Sequence, residues 1–457
     1  MLTGEVFERF AKASPTTIMV RALMEQSLSD ERLNALFAKH AAKQRAGETL
    51  FSTLVDLMSL VVLRDRPSMH AAYQLRLEEV AVSVQSIYNK LDGLEPQVSE
   101  ALVRETAASF LEVLACLEGQ LPQSLPGYRS LILDGNHLAG TQHRLEELRT
   151  TNAAALPGQV LALLDPATKM LVDVICEEDG HANERSLLPR LYQQLKCGEV
   201  LIADRMFATF KNVRELSQRG IHFIIRQHST NLTVEELERP KHRGRVTGGE
   251  LYEQRVRFRV GDYMWEGRRV TVRLKEPTRF DETEVHLITD LPDSVIARAI
   301  SQAYRARWTI EGCFGHLATT LRCEIDTLGY PKAALFGFCT GMLMYNLLNT
   351  IQGVLRSSHG AAKIERECSL FYLAAETSSV YHGMLIALPP EQWKQTYGAM
   401  TTAELATALA DLAATVDLSR FHKHTRAPKT PPPPRTSGHR GNHVATAQLI
   451  AKRGTIS

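Results

Sequence analysis

Apolar residues recur three and four positions apart in 50–63 and again in 101–117, the spacing of a helix with one buried face. Residues 1 to about 120 read as helical on this pattern. PSMHAAY from Pro67 starts one helix. VQSIYNKL at 84–91 forms another, with Ser83 placed as its N-cap, Ile87 and Leu91 turned inward, and Gln85, Ser86, Asn89 and Lys90 outward. From Ser130 the period shortens. SLILD at 130–134 is a short apolar run ending on an acid, and 159–164 and 169–176 are two more, joined by the turn Asp165-Pro166-Ala167-Thr168. A helix over 183–195, a strand over 199–203 ending on Asp204, a helix over 207–219 and a strand over 222–226 follow.

Three strands in a meander, then helix, strand, helix, strand, is the element order of an α/β, ribonuclease-H-like core. In that fold the first and fourth strands are central neighbours, which would bring Asp134 and Asp204 together where connections diverge, the usual ligand position in an open α/β sheet. A β-rich insertion occupies about 228–298. Within it Arg255, Arg257 and Arg259 alternate with Val256, Phe258 and Val260, and Arg269 and Arg273 alternate with Val270, Val272 and Leu274. The stretch 261–267 between them reads as a hairpin tip carrying Tyr263 and Trp265. Arginines on a ribbon with an aromatic tip suit phosphate contact and base stacking, although edge strands also carry cations simply to discourage pairing.

The segment YRARWTIEGCFGHLATTLR at 304–322 reads as one helix. At about 100° per residue, Tyr304, Arg307, Glu311, Gly315, Ala318 and Arg322 share one stripe, while Ile310, Phe314, Leu317 and Leu321 share the adjoining apolar one. Segments 333–355 and 390–412 read as further helices. The first contains the most apolar window of the chain, yet Asn346, Asn349 and Gln352 suit a buried core helix better than a membrane span.

Composition adds two points. Seven scattered cysteines form no CxxC pair, which argues against a disulfide framework or zinc site and for a reducing, cytoplasmic setting. The net charge of +2 conceals a tail, 421–457, with seven Lys or Arg, no Asp or Glu, and four consecutive prolines at 431–434. Such a tail suits an anionic partner or a solubilising end.

The Tyr304, Arg307, Glu311 spacing resembles the signature of the insertion-sequence-four type of DDE transposases, in which a lysine follows the glutamate after six residues. Here that position holds Ala318, and Arg322 lies one turn further on. The resemblance runs from about Pro67 to about Asn349 and is carried also by LILD at Asp134 and ADRMF around Asp204. It implies that Asp134, Asp204 and Glu311 are the catalytic carboxylates and hold Mg²⁺ or Mn²⁺, as two ions with Asp134 bridging both. Tyr304, Arg307, Arg322 and Arg226 would position phosphate. Arg255, Arg257, Arg259 and Trp265 would contact DNA along the ribbon, with the aromatic side chain holding a flipped base. Gln85, Asn89 and Lys90 would read a major groove, where pattern alone fits a plain helical bundle equally well.

The expected organisation is a helical DNA-binding region (1–125), a catalytic domain (126–356) interrupted by the insertion, a helical C-terminal region (357–420) and a basic tail (421–457). The expected function is DNA transposition in a bacterial, nucleoid-associated setting: binding of terminal inverted repeats, metal-dependent cleavage and strand transfer on double-stranded DNA, by a homodimer and without a membrane. Two alternatives share these residues, a catalytically decayed DNA-binding relative and a ribonuclease-H-like nuclease without strand transfer.

Overall fold

The central strands carry uninterrupted apolar runs because both faces of their sheet are covered. The computed structural model describes residues 4–45, 47–142, 145–228, 230–278, 281–424 and 443–453. Its first long strands are β1 (Ser130–His137), then, after a short β2 (Ala154–Leu156), β3 (Gln159–Asp165), β4 (Met170–Glu177), β5 (Val200–Ala203) and β6 (His222–Arg226). They lie in the order β4-β3-β1-β5-β6. β1 is antiparallel to β3 and parallel to β5, and β5 is parallel to β6, which is the arrangement anticipated for the ribonuclease-H-like core.

The pleat sorts side chains to two cores. Leu131, Leu133, Leu201, Ala203, Phe223 and Ile225 join one cluster with Leu187, Leu188 and Leu191 of the helix Glu184–Leu191. Ile132, Ile202 and Ile224 point the other way, into the larger core shared with the N-terminal helices and the long helix Pro331–His359. That long helix is apolar enough to cross a membrane by composition, but it is buried within the protein. Its Asn346 completes the edge strand: the Leu171 N–H donates to Oδ1 at 2.8 Å and Nδ2 donates to the Leu171 carbonyl at 2.7 Å.

The insertion is not a separate ribbon. β11 (Glu284–Thr289) pairs antiparallel with β6, and β10 (Tyr263–Leu274), β9 (Gly249–Val260) and β7 (Glu235–Glu236) continue outward, so one sheet runs through both parts. β8 (Lys241–Val246) also pairs with β9. Sequence reasoning placed a boundary here because the segment is long; unsatisfied backbone groups along β6 favour continuing the sheet instead.

Two other expectations change. The helix anticipated over 390–412 is broken, with Pro390–Trp393 and Thr402–Ala414 separated by a wider turn and the cap at Thr401. The basic tail is partly docked: β12 (His443–Ala445) pairs in parallel with β2, and the helix Thr446–Arg453 follows. Arg426, Lys429, Arg435 and Arg440 lie outside the described residues.

Replacing Asn346 with Ala leaves two buried backbone groups of Leu171 without partners and is expected to destabilise the chain by about 2–4 kcal/mol. Urea unfolding should show a lower midpoint; an unchanged midpoint would contradict this role.

Candidate active site

Because alternate residues of a strand share a face, Asp134 and Asp204 follow Ile132 and Ile202 onto the side of the sheet covered by the two helices Ala297–Arg305 and Trp308–Thr319. Leu133 and Ala203 stand opposite each other in the parallel β1–β5 pairing, so Asp134 and Asp204 follow at the same level; β5 ends at Ala203, but β1 does not end on Asp134 as predicted and runs on to His137 against β3. Asp204 then accepts a hydrogen bond from the Met206 N–H at 2.5 Å, starting the tight turn Arg205–Phe207.

The helix predicted over 304–322 is two helices. At the junction the Arg307 N–H bonds the Tyr304 carbonyl and the Ile310 N–H bonds the Arg307 carbonyl, each three residues apart, which tightens one turn between the two helices. Tyr304 thus ends the first helix, Arg307 occupies that turn and Glu311 lies in the first turn of the second. The second helix stops at Thr319, where the Arg64 guanidinium caps the carbonyls of Thr319 and Thr320. Arg322 lies past this end, with its backbone N–H on the Val62 carbonyl, so it does not continue the Glu311 stripe as predicted. Ala318, in the lysine position, is exposed.

Arg307 is the centre of the cluster. Its guanidinium is buried and donates from Nη1 to Asp134 Oδ2 at 2.9 Å and from Nη2 to Glu311 Oε1 at 2.8 Å. Burial pushes the Asp134 carboxyl up to about 6; Arg307 opposes this, while Asp204 and Glu311 add to it. Burial works against the Arg307 charge as well, but Tyr304, Asp134 and Glu311 outweigh it. Tyr304 is raised by burial, with Arg307 and Arg226 pulling it down and Asp204 pushing it up. Charge effects thus reach Asp134 from Arg307, Asp204 and Glu311, and Tyr304 from Arg307, Arg226 and Asp204.

Sequence reasoning missed four participants. Glu184, the first residue of its helix after the N-cap Asn183, has its carboxylate against Gly135. Burial, then Asp204, raises the Glu184 carboxyl. Trp308 is 60% exposed beside the Arg307 guanidinium. Arg205 and Arg226 both bond Glu282, at 3.1 and 2.5 Å, across the loop before β11. Trp308 and Arg205 lay inside the quoted motifs, but nothing local in sequence marks Glu184 or Glu282.

Two predicted contacts do not have the expected exposure. Trp265 is buried in β10, folded over Gly267 and stacked on Phe258 at 5.1 Å; the hairpin tip is Gly261-Asp262. The error was one of length, since the alternating pattern continues through 263–266. Lys90 is also buried, donating to the Arg45 carbonyl over the Phe37 ring, and burial lowers its pKa. Gln85 and Asn89 are exposed and bonded to each other at 2.9 Å. Arg255, Arg257 and Arg259 share the outer face, bonded to Asp293, Glu266 and the Met264 sulfur respectively.

Carboxylates of hard oxygen character gathered around a buried cation suit a divalent ion, and Arg307 supplies that positive charge between Asp134 and Glu311. Among the described residues no three acids or other ligand side chains are drawn together closely enough to hold an ion as they stand. Residues 125–347 match the family described as the Transposase DDE domain, which supports a DDE transposase. No curated protein matches the chain. A cryo-EM structure of a piggyBac transposase synaptic complex with hairpin DNA is similar at 11% identity and a TM-score of 0.41, with 86% of each chain covered.

Since folded Asp134 holds its proton more tightly than the ordinary 3.8, its stabilising contribution is complete below that value and is lost as pH rises through about 6. In chelator-treated protein, Asp134→Asn is expected to raise unfolding stability at pH 7.5 by an amount on the order of 2–3 kcal/mol and to give no gain at pH 3.5. A loss at both pH values in denaturant titrations would contradict the burial argument.

Proposed function

We propose that the chain is a DNA transposase of an insertion sequence, of the insertion-sequence-four type, that cleaves and rejoins DNA at the terminal inverted repeats of its own element. The observation that carries this reading is Arg307 joining Asp134 of β1 to Glu311, within a region that matches a transposase DDE domain. Asp134, Asp204 and Glu311 would hold one or two divalent ions, Mg²⁺ or Mn²⁺. Bound there, such ions activate a water or 3′-hydroxyl and stabilise the departing oxygen.

The chain's own residues do the positioning. Arg307 changes partners, from the two carboxylates to a scissile phosphate, for which its planar fork is suited. Tyr304 orients that guanidinium. Arg205 and Arg226, held by Glu282, are further donors that a DNA phosphate would draw away. Arg255, Arg257 and Arg259 would track backbone phosphates along the ribbon, since exposed ion pairs such as Arg257–Glu266 are worth only about 0–1 kcal/mol and exchange readily. Trp308, rather than the buried Trp265, is the side chain available to stack on an unpaired base. Gln85 and Asn89 are the exposed polar side chains of the proposed recognition helix. Two chains would act together, one on each element end, in the cytoplasm of a bacterial host.

A second reading, a decayed relative that only binds DNA, is favoured by Ala318 standing exposed where the signature has lysine. The two readings separate experimentally. With Mg²⁺ or Mn²⁺ and DNA carrying the element's ends, the parent is expected to cut and to give joined products. Asp134→Ala, Asp204→Ala and Glu311→Ala should each abolish cutting while gel-shift binding persists. Cutting by all three variants would sink the site assignment. Activity appearing only with Ala318→Lys would establish decay, and cutting without joined products would establish a plain nuclease.

A further inference from the structure

We propose that a cleft behind the helix Trp308–Thr319, on the side away from Glu311, takes a nucleotide of a DNA strand that crosses this helix, its phosphate on Lys169 and Lys423 and its base on Phe371. This rests on the transposase reading above. The cleft holds about 640 Å³, within the range of small-ligand sites. Thr309, Gly312, Cys313 and His316 form one wall; they recur three and four apart, on the face of the helix turned away from Glu311. The start of the helix Leu370–Ala387 and residues 423–424 form another.

The cleft is cationic. Among the described residues no Asp or Glu lines it, whereas Lys169, His316, Lys423 and His424 do. The nearby Glu365 is already shared: its carboxylate bonds Lys169 and Arg356, the latter at 3.1 Å, while the Lys423 amine donates to its backbone carbonyl at 2.6 Å. Three cations thus stand around one acid, an excess that a phosphate would offset. Lys169 is held there against its backbone preference, since its φ of +61° is one that glycine or asparagine adopts more readily. Phe371 is 51% exposed and edge-on to Tyr372 at 5.4 Å, and Tyr372 is edge-on to His424 at 5.9 Å. An acidic peptide would use the lysines alone; a nucleotide uses the lysines and the exposed ring. The route to the cleft is open as well. Gly312 and Gly315 are exposed, and a Cβ at either would meet nothing within 4 Å, so no neighbour in the fold requires their small size. Glycine costs stability inside a helix. At about 100° per residue both lie between Glu311 and the cleft, where they offer bare backbone to a strand passing from one to the other.

The test is binding of a fluorescent duplex with a single-stranded end, of arbitrary sequence, to the full chain in the presence of chelator, followed by anisotropy over a salt series. Lys169→Gln combined with Lys423→Gln is expected to weaken binding and to lower the slope of log affinity against log salt by about one. Phe371→Ala should weaken binding at least about fivefold without changing that slope. Gly315→Gln should weaken binding too, while its Tm equals or exceeds that of the parent. Parent-like affinity in the double variant and in Phe371→Ala, with Arg255→Gln weakened, would overturn the role of the cleft while leaving DNA binding elsewhere intact. Weaker binding by the double variant at an unchanged slope and a lowered Tm would likewise overturn it, in favour of a purely structural role for the lysines. Polyglutamate binding that the double variant loses while it keeps DNA binding would overturn it in favour of an acidic protein partner. No DNA binding by the parent would remove both this inference and the reading beneath it.

Discussion

Like-charged carboxylates at one end of a sheet are the constraint around which this region is arranged. Asp134, Asp204 and Glu311 come from β1, the end of β5 and a helix far along the chain, and burial together with Asp204 and Glu311 makes the Asp134 charge harder to keep. Arg307 offsets this by bridging Asp134 and Glu311. Its own charge is buried, so the three groups stabilise one another only as a set. The tightened turn between the two helices follows from the same demand: it places Arg307 where one guanidinium reaches β1 and the next turn together.

The order of elements was readable because each core strand is a short apolar run, whereas which strands lie side by side came from likeness to a known fold. Asp134 and Asp204 were singled out on that likeness as acids ending neighbouring runs, although β1 continues past Asp134 to His137. The fate of the insertion was not readable. Whether β11 pairs with β6 or closes a separate ribbon depends on backbone groups that every sequence possesses. Trp265 shows the limit of composition: an aromatic residue near a predicted turn resembles a stacking platform until the strand continues two residues further and turns it inward over Gly267. Lys90 failed for a related reason, since its long apolar stem can lie over Phe37 while its amine finds a carbonyl.

Continuity of the sheet has a consequence for the site. With β11 bonded to β6, the loop that carries Glu282 is held over the end of β6, where Glu282 draws Arg226 and Arg205 together. The insertion thus contributes an acid to the rim of the core rather than only an arginine face at a distance. A loop on an independently moving ribbon could not keep Glu282 within hydrogen-bond reach of both arginines.

The rim is therefore built of cations held in place by acids, and each such pair stands ready to be exchanged. Glu282 holds Arg205 and Arg226, and Asp134 and Glu311 hold Arg307; on the transposase reading a phosphate would compete for the first two arginines and a metal ion for the two carboxylates. The second exchange is the more demanding because Arg307 is buried, and it has to find another anion as it leaves. On the transposase reading, a DNA phosphate arriving at the same place would supply that anion. Ion and DNA binding would then favour each other through a single side chain, because each relieves the charge that the other leaves unpaired.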